Sequence, residues 1–248
     1  MKIIDCFTFY NEMDMLRLRL AELSGTVDYF VLAESTLTFS GEQKRLYFDE
    51  VKSEFSSYPI VHVIVDRNPE TDSPWDREVW QRNNLMVGVR LLSPKQDDLV
   101  LISDVDEIPD AEAIGRLSGP SPEGAVCLEQ DLYYYSFDFR VRERWLQAKA
   151  MPYSTLLQAG SVERARFLPC SQIVKGGWHL SFFGNTEFVA NKIRSFSHQE
   201  FNREDIVNEE WISDCMAKGN DLFKRGLSIE RVDPAKCDYL PKNWRMIS

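Results

Sequence analysis

The residues of this chain best suited to chemistry are three acids, Asp104, Asp106 and Glu107, which directly follow the apolar run Leu99–Ser103. Side chains two residues apart on an extended chain point the same way, so Asp104 and Asp106 are expected to share one divalent cation. Carboxylate oxygens suit Mg²⁺ or Mn²⁺, which bridge to phosphate oxygens. The alternative is a solvated acidic turn, but the buried strand that precedes the acids favours the metal site.

A histidine is the expected third ligand of this ion. His179 is one of three histidines in the chain and follows Gly176, Gly177 and Trp178. The two glycines permit close approach of the backbone, and a neutral imidazole can complete a metal shell that two aspartates begin. His198 is the competing candidate. The remaining histidine, at position 62, lies in an apolar strand and is expected to be a core residue.

These side chains need a sheet whose strand ends lie together. Short, nearly continuous apolar runs are typical of parallel strands covered on both faces, and they occur at Lys2–Phe9, Val27–Ala33, Ile60–Val65 and Leu99–Ser103. Helices are predicted between them, over Glu12–Leu23 and from Ser73-Pro74 to about Leu92. This order predicts an α/β fold with a doubly wound, mostly parallel sheet, in which ligands bind at the carboxyl ends of the strands.

After Asp110 the pattern changes to a more mixed sheet. A turn-rich connection over 118–124 leads to predicted strands Ala125–Glu129, Leu132–Phe139 and Gly177–Phe183 and to helices Thr186–Ser197 and Arg203–Lys218. No linker is long enough to separate two independent domains. We therefore expect one domain over 1–248, with a first lobe at about 1–124 and a smaller mixed-sheet lobe at about 125–248.

Composition and charge exclude several function classes. The chain has 248 residues, a net charge of −10 and a pI near 4.9, which argue against nonspecific binding to nucleic acid or to an anionic membrane. No stretch approaches the roughly 20 apolar residues that a membrane span requires. A globular composition of 44% hydrophobic and 27% charged residues predicts a folded domain with no need of a structural metal.

The cysteines point to a reducing compartment. Five cysteines are scattered along the chain without a C-x-x-C pair, at positions 6, 127, 170, 215 and 237. We expect them to be reduced, with Cys6 and Cys127 buried as small apolar residues. The first residues form a predicted strand rather than a signal peptide. The cytoplasm is therefore the predicted location.

Four segments together resemble glycosyltransferase family 17. They are I-D-C-F-T-F-Y-N-E-x-D-x-L-x-x-R-x-x-E-L near the start, V-L-A-E-S-T-x-T-x-x-G-E, D-V-D-E-I-P and G-G-W-H-L-S-F-F, and they cover roughly residues 3 to 195 in order. The resemblance implies a GT-A fold, with the first lobe binding a nucleotide and the second an acceptor. It also implies a UDP-sugar donor, for example UDP-N-acetylglucosamine, a carbohydrate acceptor, a D-x-D metal site for Mn²⁺ or Mg²⁺, and inversion at the anomeric carbon.

On this template several further residues are expected to hold the donor, together with Asp104. Glu34, at the end of the second strand, would bond a ribose hydroxyl or the uracil N–H. Arg82, with Asn83 as its helper, would bind the diphosphate, and Lys192 is a further candidate for that role. Lys44, in a loop, could reach phosphate but is expected to be a surface charge.

An inverting transfer needs a carboxylate that removes the proton of the acceptor hydroxyl. Glu187 is the first candidate, because it begins the helix after the His179 strand and the family pattern carries a glutamate there. Glu129 and Asp131, near a strand end, are the alternatives. An aromatic stretch from Tyr133 to Trp145 is a candidate sugar groove, although half of its side chains are expected in the core.

Two other function classes remain as alternatives. A sugar-phosphate nucleotidyltransferase would share the doubly wound fold and a carboxylate-bound metal, but it needs a glycine-rich loop soon after the first strand. Residues 8–25 contain a single glycine, Gly25, which argues against that class. A non-catalytic carbohydrate- or cation-binding module would leave Arg82, Glu34 and Glu187 without a role.

Overall fold

The computed structural model describes residues 1–119 and 122–247. The described chain forms an α/β fold around a ten-stranded mixed sheet. The α/β class and the parallel first half are therefore confirmed. Within the described residues, no helix combines the length and the apolar character needed to cross a membrane.

The first half is a four-stranded parallel sheet in the order β3-β2-β1-β4. Its strands are β1 Ile3–Phe9, β2 Tyr29–Ser35, β3 Ile60–Val65 and β4 Leu99–Asp104, and its helices are α1 Met13–Leu23, α2 Tyr47–Val51 and α3 Pro74–Leu91. Ser73 caps α3 and Pro74 occupies its first turn, as the sequence predicts. The second strand extends two residues beyond the predicted end, so Glu34 lies inside β2.

Alternating residues of β1 bury two different faces of this sheet. Ile3 and Phe7 join the core cluster that includes α1, whereas Ile4 and Cys6 join the cluster that includes α3. Both faces are apolar because each is covered by a helix. A Cβ atom on Gly88 of α3 would lie 2.4 Å from the Val31 side chain, so only glycine allows the helix to approach the sheet this closely.

The second half continues the sheet with mixed pairing and adds a third core cluster. Its strands are β5 Glu107–Pro109, β6 Ala125–Tyr134, β7 Phe139–Trp145, β8 Lys149–Pro152, β9 Cys170–Ser181 and β10 Ile229–Arg231. Its helices are α4 Ala111–Leu117, α5 Tyr153–Ala159, α6 Val162–Arg166, α7 Thr186–Ser195 and α8 Glu209–Lys218. The whole sheet has the order β10-β7-β6-β8-β4-β1-β2-β3. β9 pairs antiparallel with β5 and parallel with β6, and so links the acidic turn to the rest of the second half.

Several predicted boundaries are wrong. The strands predicted at Ala125–Glu129 and Leu132–Phe139 form one strand, β6, that ends at Tyr134, where the chain turns into β7. The helix predicted from Arg203 begins only at Glu209, because Asn208 caps it by accepting a hydrogen bond from the Trp211 N–H. The turn-rich connection predicted over 118–124 includes residues 120 and 121, which lie outside the described residues.

The expectation that all five cysteines are reduced is wrong for one pair. Cys127 on β6 and Cys170 on β9 are joined by a disulfide, with Cα atoms 5.5 Å apart, a normal separation for such a bridge. They are 43 residues apart in sequence and meet through the pairing of β6 with β9, which the sequence did not reveal. Cys6, Cys215 and Cys237 are free, as expected.

A buried arginine on α1 holds the acidic turn in place. Arg19 is fully buried, and its guanidinium donates two hydrogen bonds to Asp5, at 2.6 and 2.7 Å. It also donates to the backbone carbonyls of Asp104 and Glu107, at 2.8 and 2.9 Å. The side-chain oxygen of Ser103 accepts a further bond at 2.6 Å. The turn that follows β4 is therefore held by the Arg19 guanidinium, whose charge is neutralised by Asp5.

We predict that Arg19→Met lowers the free energy of unfolding by about 3–5 kcal/mol, because it leaves Asp5 as an unpaired buried charge. The matched control is Arg17→Met on the same helix, whose ion pairs with Asp14 and Glu54 are exposed. Such pairs contribute about 0–1 kcal/mol. Urea unfolding followed by circular dichroism measures both variants, and equal losses would contradict the special role of Arg19.

Candidate active site

A cleft of about 290 Å³ opens at the carboxyl ends of the parallel strands, between the two halves of the chain. The first half contributes residues from the ends of β1 and β4, from the loops after β1 and β2 and from α3, including Thr8, Glu12 and Arg82. The second half contributes residues from β9 and α7, including His179 and Lys192. The expected ligand-binding edge of the sheet is therefore an open cleft.

The two aspartates of the acidic turn lie in this cleft but face different partners. Asp104 is the last residue of β4, and the chain turns at Val105 and Asp106 before β5 begins at Glu107. The extended geometry that predicted one shared cation ends at Asp104. Asp104 therefore contacts arginines and Asp106 contacts a lysine and a histidine.

Asp104 is bound by two arginines. Its carboxylate accepts hydrogen bonds from Arg166 of α6 at 2.9 Å and from Arg82 of α3 at 3.3 Å, and Thr8 donates a third at 3.3 Å. Burial raises the pKa of Asp104, but the two guanidinium groups outweigh it and the pKa lies below its ordinary value. Asp104 is thus a charged group with both oxygens engaged.

Asp106 pairs with Lys192 and faces His179. The Lys192 ammonium donates to Asp106 Oδ2 at 2.7 Å, and His179 Nε2 lies 3.7 Å from Asp106 Oδ1. Burial raises the pKa of Asp106, but Lys192 and His179 outweigh it and hold the pKa far below the ordinary value. Burial lowers the pKa of Lys192, and Asp106 and Glu12 outweigh it in turn, so both partners are charged.

His179 reaches the cleft because β9 pairs with β5. Glu107 and His179 are opposite each other in this antiparallel pair, two positions beyond Gly177. Gly177 has φ +141°, and a Cβ atom there would lie 2.1 Å from the Ile108 carbonyl oxygen, so the close approach requires glycine. The Trp145 ring lies against the imidazole with centroids 4.4 Å apart, and His179 Nδ1 is buried without a hydrogen-bond partner.

These residues fit a divalent cation in part. Mg²⁺ and Mn²⁺ sites on nucleotide enzymes commonly use one or two protein ligands, with phosphate oxygens and water completing the shell. Asp106 and His179 offer an oxygen and a nitrogen on one side of the cleft, whereas Asp104 is engaged by its arginines. Among residues 1–119 and 122–247, no group of three or more His, Cys, Asp or Glu side chains is arranged to hold a metal by itself.

Glu107 is a structural residue that the sequence analysis did not assign. Arg166 binds both of its carboxylate oxygens, at 2.7 and 2.8 Å, while Trp145 Nε1 donates at 2.7 Å and the Asp104 N–H at 2.9 Å. This clamp joins the acidic turn to α6 and to the end of β7. The signal for Glu107 is its place directly after Asp106, but no local pattern marks Arg166.

Arg82 lines the cleft, as expected, while its predicted helper does not. The buried guanidinium of Arg82 contacts Glu78 on its own helix, Glu163 on α6 and Asp104. Burial lowers the pKa of Arg82, but these three acids outweigh it and raise the pKa further above its ordinary value. The side chain of Asn83 points to α6 instead, where its oxygen accepts from the Glu163 N–H at 3.0 Å.

The structure places Glu34 away from the cleft and Lys44 in it, whereas the sequence predicted a ligand-binding Glu34 and a surface Lys44. Glu34 is fully buried and does not line the cleft, because His62 contacts it at 3.1 Å and the Phe48 N–H donates to it at 3.2 Å. Lys44 lines the cleft with its ammonium 3.7 Å from Glu34. Burial lowers the pKa of Lys44, and Glu34 partly offsets that effect. The local sequence around Glu34 and Lys44 did not indicate which of the two residues lines the cleft.

None of the three predicted bases lines the cleft. Glu187 is exposed in the first turn of α7, Asp131 contacts Arg140 and Lys175 at 3.3 and 3.6 Å, and Glu129 pairs with Arg144. The carboxylates that do line the cleft, besides the two aspartates, are Glu12 and Glu78. A glutamate at a helix start is common on protein surfaces, so the position of Glu187 was a weak signal.

The other two histidines are separate from the metal candidates. His62 lies between Glu34 and Asp49 beneath the cleft, as a largely buried partner of Glu34. His198 lines the far end of the cleft, where its Nδ1 lies 2.7 Å from Glu200. His179 is the histidine that the structure brings to Asp106.

Comparison with known proteins places the chain in a family. Residues 1–226 match the model of glycosyltransferase family 17. The β-1,4-mannosyl-glycoprotein 4-β-N-acetylglucosaminyltransferases of rat and human are each 31% identical to this chain over 121 residues. That segment is 46% of this chain and 22% and 23% of the two relatives, so the chain matches less than a quarter of their length.

Two solved structures show a more distant similarity. A 4-diphosphocytidyl-2C-methyl-D-erythritol synthase has 14% sequence identity and a TM-score of 0.43, covering 79% of this chain and 92% of its own. The glucosyl-3-phosphoglycerate synthase of Mycobacterium tuberculosis, in complex with Mn²⁺ and UDP-glucose, has 13% identity and a TM-score of 0.39, covering 78% and 76%.

Proposed function

The chain belongs to glycosyltransferase family 17, and on that premise we propose that it moves a sugar from a UDP-sugar donor to a glycan acceptor, with inversion at the anomeric carbon. N-acetylglucosamine is the sugar we propose, since the rat and human relatives are named as N-acetylglucosaminyltransferases. The observation that carries the proposal is one cleft in which Asp106 and His179 lie beside the cations Lys192 and Arg82.

The cations of the cleft suit a diphosphate. Lys192 and Arg82 are charged, largely buried and bound only to side chains of the protein. When a diphosphate enters the cleft, these two cations can exchange carboxylate partners for phosphate oxygens. Lys44 lines the same cleft, with its ammonium 5.1 Å from the Tyr10 ring centroid. Three cations on separate elements can hold a nucleoside diphosphate without any large basic patch on this acidic protein.

Asp106 and His179 are the residues we propose for a Mn²⁺ or Mg²⁺ ion, which would offset charge on the departing UDP. His179 Nε2, which lies 3.7 Å from Asp106 Oδ1, and the Asp106 carboxylate supply two suitable atoms. Lys192 now contacts Asp106, and its flexible side chain can turn to the diphosphate when Asp106 takes another partner. Asp104 holds the arginines in place and is not part of this ligand pair.

The acceptor hydroxyl must lose a proton as it attacks the anomeric carbon. We place this step on a carboxylate of the cleft, Glu12 or Glu78, rather than on Glu187. Glu12 is fixed by the N–H groups of Tyr10 and Asn11 at 3.1 Å, and its other oxygen lies 3.9 Å from Lys192. Glu78 is engaged by Arg82 and Ser197.

The nucleotidyltransferase alternative has less support. The loop after β1 runs from Tyr10 to Glu12 and enters α1 without a glycine, so it offers no glycine-rich backbone cradle for a triphosphate. A non-catalytic binding module is the other alternative, and it predicts no transfer and no dependence of nucleotide binding on Asp106.

We predict that Mn²⁺ strengthens UDP binding by the wild-type protein by about tenfold or more, ~1.4 kcal/mol, and that EDTA removes this gain. Asp106→Asn should weaken UDP binding and abolish the effect of EDTA, because a neutral amide oxygen replaces the charged carboxylate ligand. Asp14→Asn, an exposed acid outside the cleft, is the control and should behave as wild type. Calorimetric titration with UDP measures all three, and EDTA-insensitive binding by the wild type would refute the metal role.

We predict that Glu187→Gln turns over within about twofold of wild type, because its carboxylate is exposed outside the cleft. At least one of Glu12→Gln and Glu78→Gln should lower kcat by about 10²–10⁴-fold, the usual contribution of a general base. The measurement is release of UDP from UDP-N-acetylglucosamine with mannose-terminated N-glycans as acceptors. A large loss of kcat in Glu187→Gln alone would restore Glu187 as the base.

A further inference from the structure

The cleft has two chemically different ends. One end holds the ionic groups described above, centred on Asp106, Lys192 and Arg82. The other end is lined by six ring side chains that we call the aromatic wall, namely Trp75, His198, Phe196, Phe201, Phe223 and Phe182. The wall is not part of the predicted aromatic stretch from Tyr133 to Trp145, of which Tyr134 and Trp145 line the cleft.

The wall is continuous from one half of the protein to the other. Trp75 contacts His198 with ring centroids 4.6 Å apart, and His198 lies 5.9 Å from Phe201. Phe201 stacks on Phe223 at 4.3 Å, and Phe223 lies 5.4 Å from Phe182. The rings therefore form one surface that starts at α3 and ends beside the carboxyl end of β9.

The end of the wall lies next to the ionic groups. The Phe182 ring centroid is 5.6 Å from the Lys192 ammonium, and that ammonium is 2.7 Å from Asp106. A molecule lying along the wall would thus point one end at the place proposed for the departing diphosphate. This continuity is what an acceptor needs, since its hydroxyl must reach the sugar that the donor carries.

Polar groups accompany the rings. Arg225 donates to the Tyr134 hydroxyl at 2.8 Å, and its guanidinium carbon lies 4.7 Å from the Phe223 ring centroid. The hydroxyl of Ser197 also lines this end, where it bonds Glu78. Rings that cover an apolar face, with a few hydrogen-bonding groups at the edge, suit a pyranose, which has an apolar face of C–H groups and a rim of hydroxyls.

The charge distribution separates this end from the nucleotide. A nucleoside diphosphate needs cations. Lys192 lies 5.6 Å from the Phe182 ring at one end of the wall, and the Lys44 ammonium lies over the Tyr10 and Tyr47 rings, which are not part of the wall. Arg225, the cation beside the wall, is engaged by Asp221 at 3.4 Å and by Tyr134. A neutral saccharide is therefore the better occupant of the wall.

Trp75 is the residue of the wall best placed to meet a ligand. It occupies the first turn of α3, held by the Ser73 cap and by Pro74, and 45% of its surface is exposed. His198 meets its ring edge-on, at an interplanar angle of 84°. Trp80, on the same helix, is 42% exposed but does not line the cleft, and its Nε1 donates to the Arg67 carbonyl.

We propose that the aromatic wall is the subsite for the acceptor saccharide, with Trp75 stacking on the apolar face of a pyranose ring. This inference rests on the proposed function, because it identifies the occupant by its place beside the donor diphosphate. It assigns Trp75 to the acceptor and predicts that the side chain contributes nothing to binding of the nucleotide.

The test compares Trp75→Ala with the matched control Trp80→Ala. Saturation-transfer NMR is recorded with the methyl glycosides of mannose, glucose, galactose and N-acetylglucosamine, with UDP and Mn²⁺ present, and UDP affinity is measured separately by calorimetry. Wild type and Trp80→Ala should transfer saturation to the C–H protons of at least one glycoside. Trp75→Ala should lower that signal by about fivefold or more, as loss of one aromatic stacking contact would, while UDP affinity is unchanged.

Three results would overturn the proposal. The first is equal glycoside signals from Trp75→Ala and Trp80→Ala, and the second is no signal from the wild type. The third is a loss of UDP affinity in Trp75→Ala, which would assign the wall to the nucleobase. A wild-type protein that binds a glycoside through Trp75 but does not bind UDP would instead refute the proposed function and leave the wall as a saccharide site.

Discussion

The buried ion pair of Arg19 and Asp5 is the interaction on which the position of the site depends. The charged side chain of Arg19 is fully buried. Its hydrogen bonds go to Asp5, to Ser103 and to backbone carbonyls between Asp104 and Glu107. A charge there is tolerated only because its donors are satisfied. The chain that leaves β4 must consequently turn where these carbonyls meet the guanidinium, and that turn sets the separate directions of the two aspartates.

The site that results is an alternation of acids and cations rather than a cluster of acids. Asp104 lies between Arg82 and Arg166, and Asp106 lies beside Lys192. Arg82, Arg166 and Lys192 are each held by a carboxylate of the protein, which raises the pKa of the cation despite burial. Such an arrangement gives an acidic protein a local surface for a diphosphate and leaves the aromatic wall for a different kind of ligand.

The sequence predicted what local patterns encode, and the remainder depends on contacts between distant residues. Apolar runs predicted the parallel strands, and a glycine-flanked histidine predicted the approach of His179 to the acidic turn. The burial of Glu34 at the end of β2 could not be predicted from the sequence, because its partners are distant along the chain. They are His62, 28 residues away, and the Phe48 N–H, 14 residues away. Arg166, which binds Asp104 and Glu107, and the rings at 196, 201 and 223 have no periodic signature, since they lie on short helices and loops.

We propose that the ionic end of the cleft holds the diphosphate of a UDP-sugar. A crystal structure of the protein with UDP and Mn²⁺ would test this proposal. We expect diphosphate oxygens within hydrogen-bond distance of Lys192 and Arg82, about 3 Å, and an ion bound by Asp106 and His179, with the rings of Trp75 and Phe201 free of the nucleotide. A nucleotide stacked on the aromatic wall, or an ion held by Asp104 with Arg166 displaced, would contradict it.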